Sequence, residues 1–428
     1  MLFFGQAAVK GESAMKYFNS QVDNPSSLVE GIATAKTKFL LMGFLLFSFG
    51  CAIPKLEQKP EWKGKIEVEN GVKVIKNPGE PVYGYIKLKL KEDLSIGRGD
   101  DKNYSFNRVR GVAVDNEGNI YAVDMSNRRV QVFDQKGKYL RTIGGMRPGP
   151  GAFQQPYKIL LDENTGNIYV SDGPKIKVFN QEGQFVADII PKAFPVDFII
   201  AGEGMILAKT ASGRPEEETE ELTKINLKGE SLGTYASFPF FNILSTKIDG
   251  GYGSGRSGLE HDVLVAGIDQ QTCLYGYSKE YELNVIDSQG KLLFKIEKDA
   301  PYHNVTPGEQ DEYRKKAALI RKKMLGKFKD IQVILKLPEH WPCFYNLLTD
   351  SEKRIYVQTN HTQHQPEVDK EVDIFSPDGY YLYKSVIPYF TRVIKSGFLY
   401  SSFADEKSGV EYVKRFRIKN WEQIRARI

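Results

Sequence analysis

The stretch Gly111–Gly137 reads GVAVDNEGNIYAVDMSNRRVQVFDQKG and decides the fold. Apolar and polar residues alternate with a period of two in three short runs, GVAVD, NIYAVD and RVQVFD, and this is the pattern of half-buried β-strands. The connecting segments NEGN, MSNR and QKG contain Gly and Asn, which tolerate the positive φ of tight turns. The stretch therefore predicts three consecutive antiparallel strands, a β-meander.

The end of the third strand carries a mark that recurs along the chain: an apolar residue, then Asp, Asn or Ser, then two residues and Gly. Its copies are Phe133–Gly137, Phe179–Gly183, Ile225–Gly229, Ile286–Gly290 and Phe375–Gly379. Successive copies are 46, 46, 61 and 89 residues apart, which indicates one repeating unit with insertions in the later gaps. A four-stranded propeller blade has the size of this unit.

A sixth blade is predicted from Arg392 onward, with three strands and no fourth. The strand-like run Val82–Leu90 (VYGYIKLKL) precedes the first complete blade, and pairing it with the sixth blade closes the ring and removes an exposed sheet edge. The expected fold is all-β: residues 82–428 form a six-bladed β-propeller of four-stranded antiparallel blades, closed by an N-terminal strand, with one helical insertion at about residues 300–341.

The insertion contains a predicted helix, Thr306–Phe328. Thr306 can cap it, Pro307 suits its first turn, and Glu309 completes a capping box. One side of the helix is apolar, and we expect it to pack on the propeller. The other side is basic and is either solvated or faces a membrane or an acidic partner. The apolar residues are Tyr313, Ala317, Ile320, Met324 and Phe328, and the basic ones are Arg314, Lys315, Arg321, Lys322 and Lys323.

Residues 1–51 are interpreted as a leader with a signal peptide. Lys36 and Lys38 precede an apolar run from Phe39 to Phe49, which is too short to span a bilayer. The following Gly50–Cys51 resembles the lipobox of bacterial lipoproteins, and this resemblance implies that Cys51 carries a lipid. Residues 52–81 are expected to be a tether, with a possible β-hairpin around Asn70-Gly71.

The repeats also carry a family resemblance. The run GVAVDNEGNIYAVD followed by NRRVQVFDQKGKYLRTIG resembles an NHL repeat, and residues 64–428 resemble uncharacterised bacterial six-bladed β-propeller lipoproteins. This resemblance implies an exported, membrane-anchored propeller of the cell envelope, periplasmic or on the outer surface. It specifies the fold and says little about function.

The amino-acid composition excludes few classes of function. The net charge of +5 is small beside 59 basic and 54 acidic residues, and nucleic-acid binding is not expected. After Cys51 only Cys273 and Cys343 remain; both lie in strand-like runs, which favours two buried thiols over a disulfide. A monomeric propeller is expected.

Strand direction separates two faces of the predicted disc. In each blade the turns after the first and third strands lie on one face, which we call the short-turn face. The loops after the second strand and the connections between blades lie on the other, the long-loop face. All the long segments belong to the latter: Gly144–Pro156, Ser212–Glu220, Phe238–Glu260, Ala300–Trp341 and Asn360–Lys370. Long loops in compact domains are commonly functional, so the long-loop face is the candidate binding face.

The candidate ligand-binding residues lie in or beside these segments. They are Tyr252, Arg256, His261, His303, His340, Trp341, His361 and His364. Tyr252 and Arg256 belong to the Gly-rich stretch Gly250–Gly258, expected as a loop over the channel. His361 and His364, three residues apart, are the candidates for a divalent metal site (zinc or calcium), although the five histidines also fit ordinary exposed surface residues.

We therefore expect a lipid-anchored binding module whose long-loop face takes a protein or polysaccharide partner. One alternative is a metal-dependent lyase or hydrolase with its site at the channel mouth. Another is a structural subunit of a cell-envelope assembly. No catalytic residues are identified, since no Ser–His–Asp order, paired carboxylates or phosphate loop stands out, and the pattern favours binding over catalysis.

Overall fold

The structure is a computed structural model that describes residues 60–97, 100–193, 195–202, 206–212, 219–240, 243–248, 251–255, 260–325, 331–359, 369–388, 391–405 and 407–428. These residues form six blade sheets, one small additional sheet and one α-helix. The expected six-bladed β-propeller of four-stranded antiparallel blades is confirmed. Cys51 and the leader lie outside the described residues.

Three strands precede the first complete blade: β1 (Lys65–Glu69), β2 (Val72–Asn77) and β3 (Leu90–Ile96). Blade 1 is β4 (Val109–Val114), β5 (Ile120–Asp124), β6 (Arg129–Phe133) and β7 (Tyr139–Gly144). Blade 2 is β8 (Pro156–Leu161), β9 (Ile168–Asp172), β10 (Lys175–Phe179) and β11 (Phe185–Ile189). Blade 3 is β12 (Pro195–Ile200), β13 (Ile206–Ser212), β14 (Thr219–Ile225) and β15 (Ser231–Pro239).

Two strands outside the blades follow, β16 (Leu244–Ile248) and β17 (Gly251–Gly255). Blade 4 is β18 (Val263–Gly267), β19 (Thr272–Tyr277), β20 (Glu282–Asp287) and β21 (Leu292–Lys298). Helix α1 (Pro307–Met324) and β22 (Ile331–Leu335) come next. Blade 5 is β23 (Asn346–Thr349), β24 (Ile355–Gln358), β25 (Lys370–Phe375) and β26 (Tyr381–Ile387). Blade 6 is β27 (Thr391–Lys395), β28 (Phe398–Ala404) and β29 (Glu411–Ile418), completed by β3.

The hydrophobic core is a ring of six clusters, each shared by two neighbouring blades. The cluster between blades 6 and 1 packs Ile96 and Val413 against Val112 and Phe133, all of them buried. A blade therefore buries both of its faces against its neighbours, which is why the middle strands of blades 1, 2 and 4 are buried at almost every position.

The closing strand lies later in the chain than the sequence predicted. Strand β3 pairs antiparallel with β29, from Leu90↔Ile418 to Ile96↔Val413, so the prediction that Val82–Leu90 fills this place was wrong except at Leu90. The earlier segment instead runs along the outer strand of blade 5, where the Val82 N–H donates to the Tyr381 carbonyl at 3.0 Å. Val82–Leu90 alternates more regularly than β3, and tertiary packing nevertheless selected β3.

The hairpin expected at Asn70-Gly71 is present, with φ of 51° and 80° at these two residues, as a tight hairpin turn requires. Strand β2 pairs in parallel with β21, so the sheet of blade 4 has six strands. Val74 and Ile75 are completely buried by this contact. The hairpin is therefore part of the propeller and not a free tether.

Trp62, near the start of the described residues, contacts the propeller. Its indole Nε1 donates to Asn77 Oδ1 at 3.0 Å, and its ring meets Tyr380 edge-on at 4.9 Å. The hairpin reverses the chain, and residues 60–64 lie at the rim beside blades 4 and 5.

Two connections between blades fold together on the long-loop face. Strands β17, β16 and β22 form an antiparallel sheet, with Leu244 opposite Leu335 and Ile248 opposite Ile331, and α1 packs against β22. Their core contains Ile243, Val305, Tyr313 and Trp341. We call this unit, made of β16, β17, α1 and β22, the cap. Its strands fall in stretches that the sequence predicted to be loops.

Helix α1 has the predicted N-terminus. The Thr306 side chain accepts from the Glu309 N–H, and the Thr306 N–H donates to the Glu309 carboxylate at 2.8 Å, which confirms the capping box. Tyr313 is buried and Ala317, Ile320 and Met324 are half-buried. In the described part of the chain no helix has the length and apolar character needed to cross a membrane.

Candidate binding face

The two faces of the disc differ as the strand order predicted. The five marked glycines that end the third-strand turns have φ between 79° and 89°, the left-handed conformation that glycine adopts without strain. Asp115 binds its own turn through the N–H groups of Glu117 and Asn119, at 3.0 and 2.7 Å. The short-turn face is thus built from tight, self-contained turns, and the cap lies on the opposite face.

His261 and His340 lie side by side where the cap meets blade 4. Their ring centroids are 5.1 Å apart, and the side chains are only 5% and 7% exposed. His261 Nε2 bonds the His340 carbonyl and His340 Nδ1 bonds the Trp341 carbonyl, both at 2.9 Å. Burial lowers the pKa of His261, so its neutral form is favoured. These two histidines are buried contacts, contrary to the exposed-surface alternative, whereas His303 is exposed.

Trp341 belongs to the core of the cap. It is 4% exposed, its ring centroid lies 5.9 Å from that of Tyr313, and its Nε1 donates to Glu309 Oε1 at 3.0 Å. Glu309 therefore caps helix α1 with one oxygen and binds Trp341 with the other. The structure brings together His261, His303, His340 and Trp341, but in a packed joint and not in an open pocket.

The structure does not place the side chains of the remaining candidate residues at this contact between the cap and blade 4. Tyr252 lies in β17, and its side chain is outside what the structure describes, as are residues Arg256, His361 and His364. Among the described residues no group of three or more His, Cys, Asp or Glu side chains is arranged to hold a metal ion. The metal candidates His361 and His364 therefore stay predictions.

Buried and half-buried charged groups join neighbouring blades at the start of their first strands. Lys209 Nζ lies 2.6 Å from Asp262 Oδ1, and Glu220 Oε2 accepts the N–H of Val263 at 3.1 Å, which connects blades 3 and 4. Glu411 Oε2 accepts the N–H of Val109 at 2.6 Å and connects blades 6 and 1. These carboxylates hold the ends of the first strands in place at the long-loop face.

The first strands of four blades have a β-bulge at this end. The pairing registers shift between Val109 and Gly111, Pro156 and Ile159, Pro195 and Asp197, and Thr391 and Val393. A bulge leaves one residue unpaired and turns its side chain away from the sheet. The exposed residues at these bulges are Arg110, Tyr157, Val196 and Arg392. Sequence reasoning missed them, because alternation alone does not reveal a bulge.

The first strands of adjacent blades contact one another around the ring and surround the central channel. The long-loop mouth of this channel thus carries two arginines and one tyrosine, from blades 1, 6 and 2. Nearby, burial and then the charge of Arg392 lower the pKa of Lys370 to about 8. At the bulges that the structure describes, the exposed charged side chains are both arginines, Arg110 and Arg392.

Comparison with known proteins supports the architecture. Residues 101–204 match the DUF5128 family, described as a 6-bladed beta-propeller. This match and the six blade sheets confirm the resemblance to six-bladed propeller proteins that the repeats carried. The family match covers blades 1 and 2 and part of blade 3.

A short segment is similar to a curated protein. Over 84 residues, 19% of this chain, it is 31% identical to the protein brain tumor of Drosophila melanogaster. The match spans about 8% of the length of that protein.

Several solved structures are similar to this chain at low sequence identity. A putative exported protein of Bacteroides fragilis is 9% identical, with a TM-score of 0.49 over 81% of this chain and 99% of its own. A DUF4221 family member from Bacteroides vulgatus is 12% identical, with a TM-score of 0.46 over 78% and 98%. A virginiamycin B lyase from Staphylococcus aureus is 8% identical, with a TM-score of 0.38 over 77% and 99%.

Proposed function

We propose that the protein is an exported, lipid-anchored β-propeller that binds a partner through its long-loop face. The observation that carries this proposal is the cap: two separate connections between blades combine into a sheet and a helix with their own buried core. On the opposite face, the strand connections that the structure describes are short turns. A folded elaboration confined to one face of a repetitive scaffold is typical of a binding surface.

The exposed side of the cap supports a partner with negative charge. On α1, Arg314 pairs with Asp311 at 2.7 Å and Lys316 pairs with Glu312 at 2.9 Å. Four further basic side chains have no ion pair among the described residues: Lys315, Arg321, Lys322 and Lys323. Exposed cations of this kind steer association with an anionic surface.

Apolar surface accompanies these charges. Leu319 and Leu325 are 52% and 51% exposed. A groove of about 390 Å³ lies between α1 and β22, lined by Ala317, Ala318, Arg321, Lys322, Leu325 and Val333. An apolar floor with a basic rim matches the general anatomy of a protein-binding patch.

Export and anchoring rest on the leader sequence. Lys36 and Lys38, the apolar run that follows them and the pair Gly50–Cys51 form the lipoprotein-type pattern. A diacylated Cys51 attaches the protein to a membrane of the cell envelope, with the propeller outside the cytoplasm. Replacing Cys51 with Ser is expected to release the protein from the membrane fraction and abolish incorporation of a labelled fatty acid.

Photo-crosslinking tests the choice of face. A photoreactive amino acid is placed in the full chain at Leu319 or Met146 on the long-loop face, and at Lys136 or Lys228 on the short-turn face. All four side chains are exposed. Illumination of the producing cells is expected to give high-mass adducts from the first pair and several-fold fewer from the second. Adducts mainly from Lys136 and Lys228 would overturn the proposal.

A further inference from the structure

A row of arginines crosses blade 1 at its long-loop end. Arg108 and Arg110 lie at the start of β4, Arg128 lies in the turn between β5 and β6, and Arg147 follows β7. All four side chains are exposed, and within the described part of the chain none makes a hydrogen bond or an ion pair. The row crosses four strands, roughly 14 Å at the usual strand spacing.

A buried carboxylate holds two of the arginine-bearing segments together. Asp124 is completely buried and accepts from the Asn107 N–H at 2.8 Å, from Asn127 Nδ2 at 2.9 Å and from Arg129 Nε at 2.9 Å. The Met125 N–H also donates to the Arg108 carbonyl at 3.1 Å. The backbones that carry Arg108 and Arg128 are thus fixed against each other before any ligand arrives.

The backbone at both arginines is strained. Arg108 and Arg128 have φ of 61° and 54°, in the left-handed region that disfavours side chains other than Gly, Asn and Asp. Glycine would adopt this conformation at lower cost. Long cationic side chains held in strained positions, without an intramolecular partner, point to a role in binding.

Neighbouring blades extend the basic surface and add an aromatic ring. Arg392 of blade 6 is exposed and donates from Nε to Ser402 Oγ at 3.0 Å. Tyr157 of blade 2 is 56% exposed, and its carbonyl lies 3.0 Å from where a Cβ on Gly111 would be. Tyr157 therefore lies directly beside the start of β4.

Three described carboxylates at the long-loop ends of blades 1, 3 and 6 already have partners. Asp197 pairs with Lys158 at 2.6 Å, Asp124 pairs with Arg129, and Glu411 accepts the Val109 N–H at 2.6 Å. None of these three carboxylates pairs with an arginine of the row.

We propose that the arginine row binds an acidic oligosaccharide, a chain of sugars that bear carboxylate groups. A guanidinium group matches a carboxylate with two parallel hydrogen bonds. Several arginines spaced along one edge fit a ligand that repeats its carboxylate, and the exposed ring of Tyr157 offers a flat apolar surface for the face of a sugar. This inference deepens the proposed function by naming a ligand class for the long-loop face.

Binding of oligogalacturonate to the full chain, followed by calorimetry, tests the inference. A neutral malto-oligosaccharide of the same length is the control ligand, and poly-glutamate tests for an acidic peptide instead. Arg108→Gly and Arg128→Gly are each expected to weaken oligogalacturonate binding about tenfold, the loss of one charge-assisted hydrogen-bonded contact. Because both changes relieve a positive φ, the thermal unfolding temperature is expected to stay or rise.

Lys353→Gly is the matched control. Lys353 has φ of 63°, carries the same charge and lies in the β23–β24 turn on the short-turn face. This change is expected to relieve strain in the same way and to leave binding unchanged.

Three results would overturn the inference: equal binding of the neutral sugar, no binding of oligogalacturonate, or wild-type affinity in both arginine variants. Tighter binding of poly-glutamate with the same dependence on the arginines would replace the glycan with an acidic peptide. Adducts from Leu319 in the crosslinking experiment without any oligogalacturonate binding would leave the proposed function standing and overturn only this inference.

Discussion

The guanidinium group of Arg354 lies over the ring of Trp421, with 4.0 Å between its central carbon and the ring centroid. Arg354 is 1% exposed, pairs with the fully buried Asp350 at 2.7 Å and donates to the Ile424 carbonyl. It thereby ties the C-terminal turn Trp421–Gln423 to blade 5, beside the blade that closes the ring.

Arg354→Ala is expected to destabilise the protein by about 3 kcal/mol or more, because it leaves the Asp350 carboxylate buried without its cation. Burial already raises the pKa of Asp350, and the charge of Arg354 opposes that rise. Denaturant unfolding measures the loss. The control is Arg314→Ala, which removes the exposed pair with Asp311 and should cost less than about 0.5 kcal/mol. Equal losses of stability in Arg354→Ala and Arg314→Ala would contradict the stabilising role of the buried pair between Arg354 and Asp350.

The buried Lys370 predicts that the free energy of unfolding depends on pH. Burial and Arg392 lower its pKa to about 8 in the fold from 10.5, so between these values the unfolded chain binds more protons than the native one. The free energy of unfolding should therefore rise as the pH increases from 8 to 10.5. Lys370→Met is expected to raise stability at pH 7 by about 1–3 kcal/mol and to lose that advantage near pH 10.5. If Lys370→Met were only as stable as the wild type at pH 7, or less stable, the predicted gain in stability would be wrong.

Removal of the capping box of α1 is expected to destabilise the cap locally. Thr306→Ala removes the side chain that accepts the Glu309 N–H, which is expected to lower the stability of the helix by about 1 kcal/mol. Hydrogen exchange should speed up in residues 307–324 and stay unchanged in blades 1 and 2. Thr306→Ser, which keeps the capping hydroxyl, is the control. Unchanged hydrogen exchange in the helix would contradict this prediction and would mean that packing against β22, without the capping box, stabilises the helix.

Much of the scaffold could be predicted from local sequence. The marked turns, the middle strands and the helix start each depend on residues close together in the chain, such as Asn70 with Gly71 or Thr306 with Glu309. The closing strand could not be placed, because LKEDLSI in β3 has three consecutive exposed positions and a weak strand pattern, and only its pairing with β29 selects it.

The cap and the arginine row were missed for a different reason. Strand β16 pairs with β22, and residues 249–330 of the chain separate them, so no short-range sequence pattern reveals this pairing. Arg110, Arg128 and Arg147 are 18 and 19 residues apart, and only the strand order of the blade brings them to the same end. The burial of His261 and His340 likewise depends on contacts between distant segments.

The most direct measurement compares the two ends of blade 1 in one sample. Hydrogen exchange of the full chain is followed with and without oligogalacturonate. We predict slower exchange at residues 107–110 and 125–128 on the long-loop face, and no change at residues 116–118 and 135–137 in the short turns of the same blade. Protection of the short turns, or protection at neither end, would contradict the account.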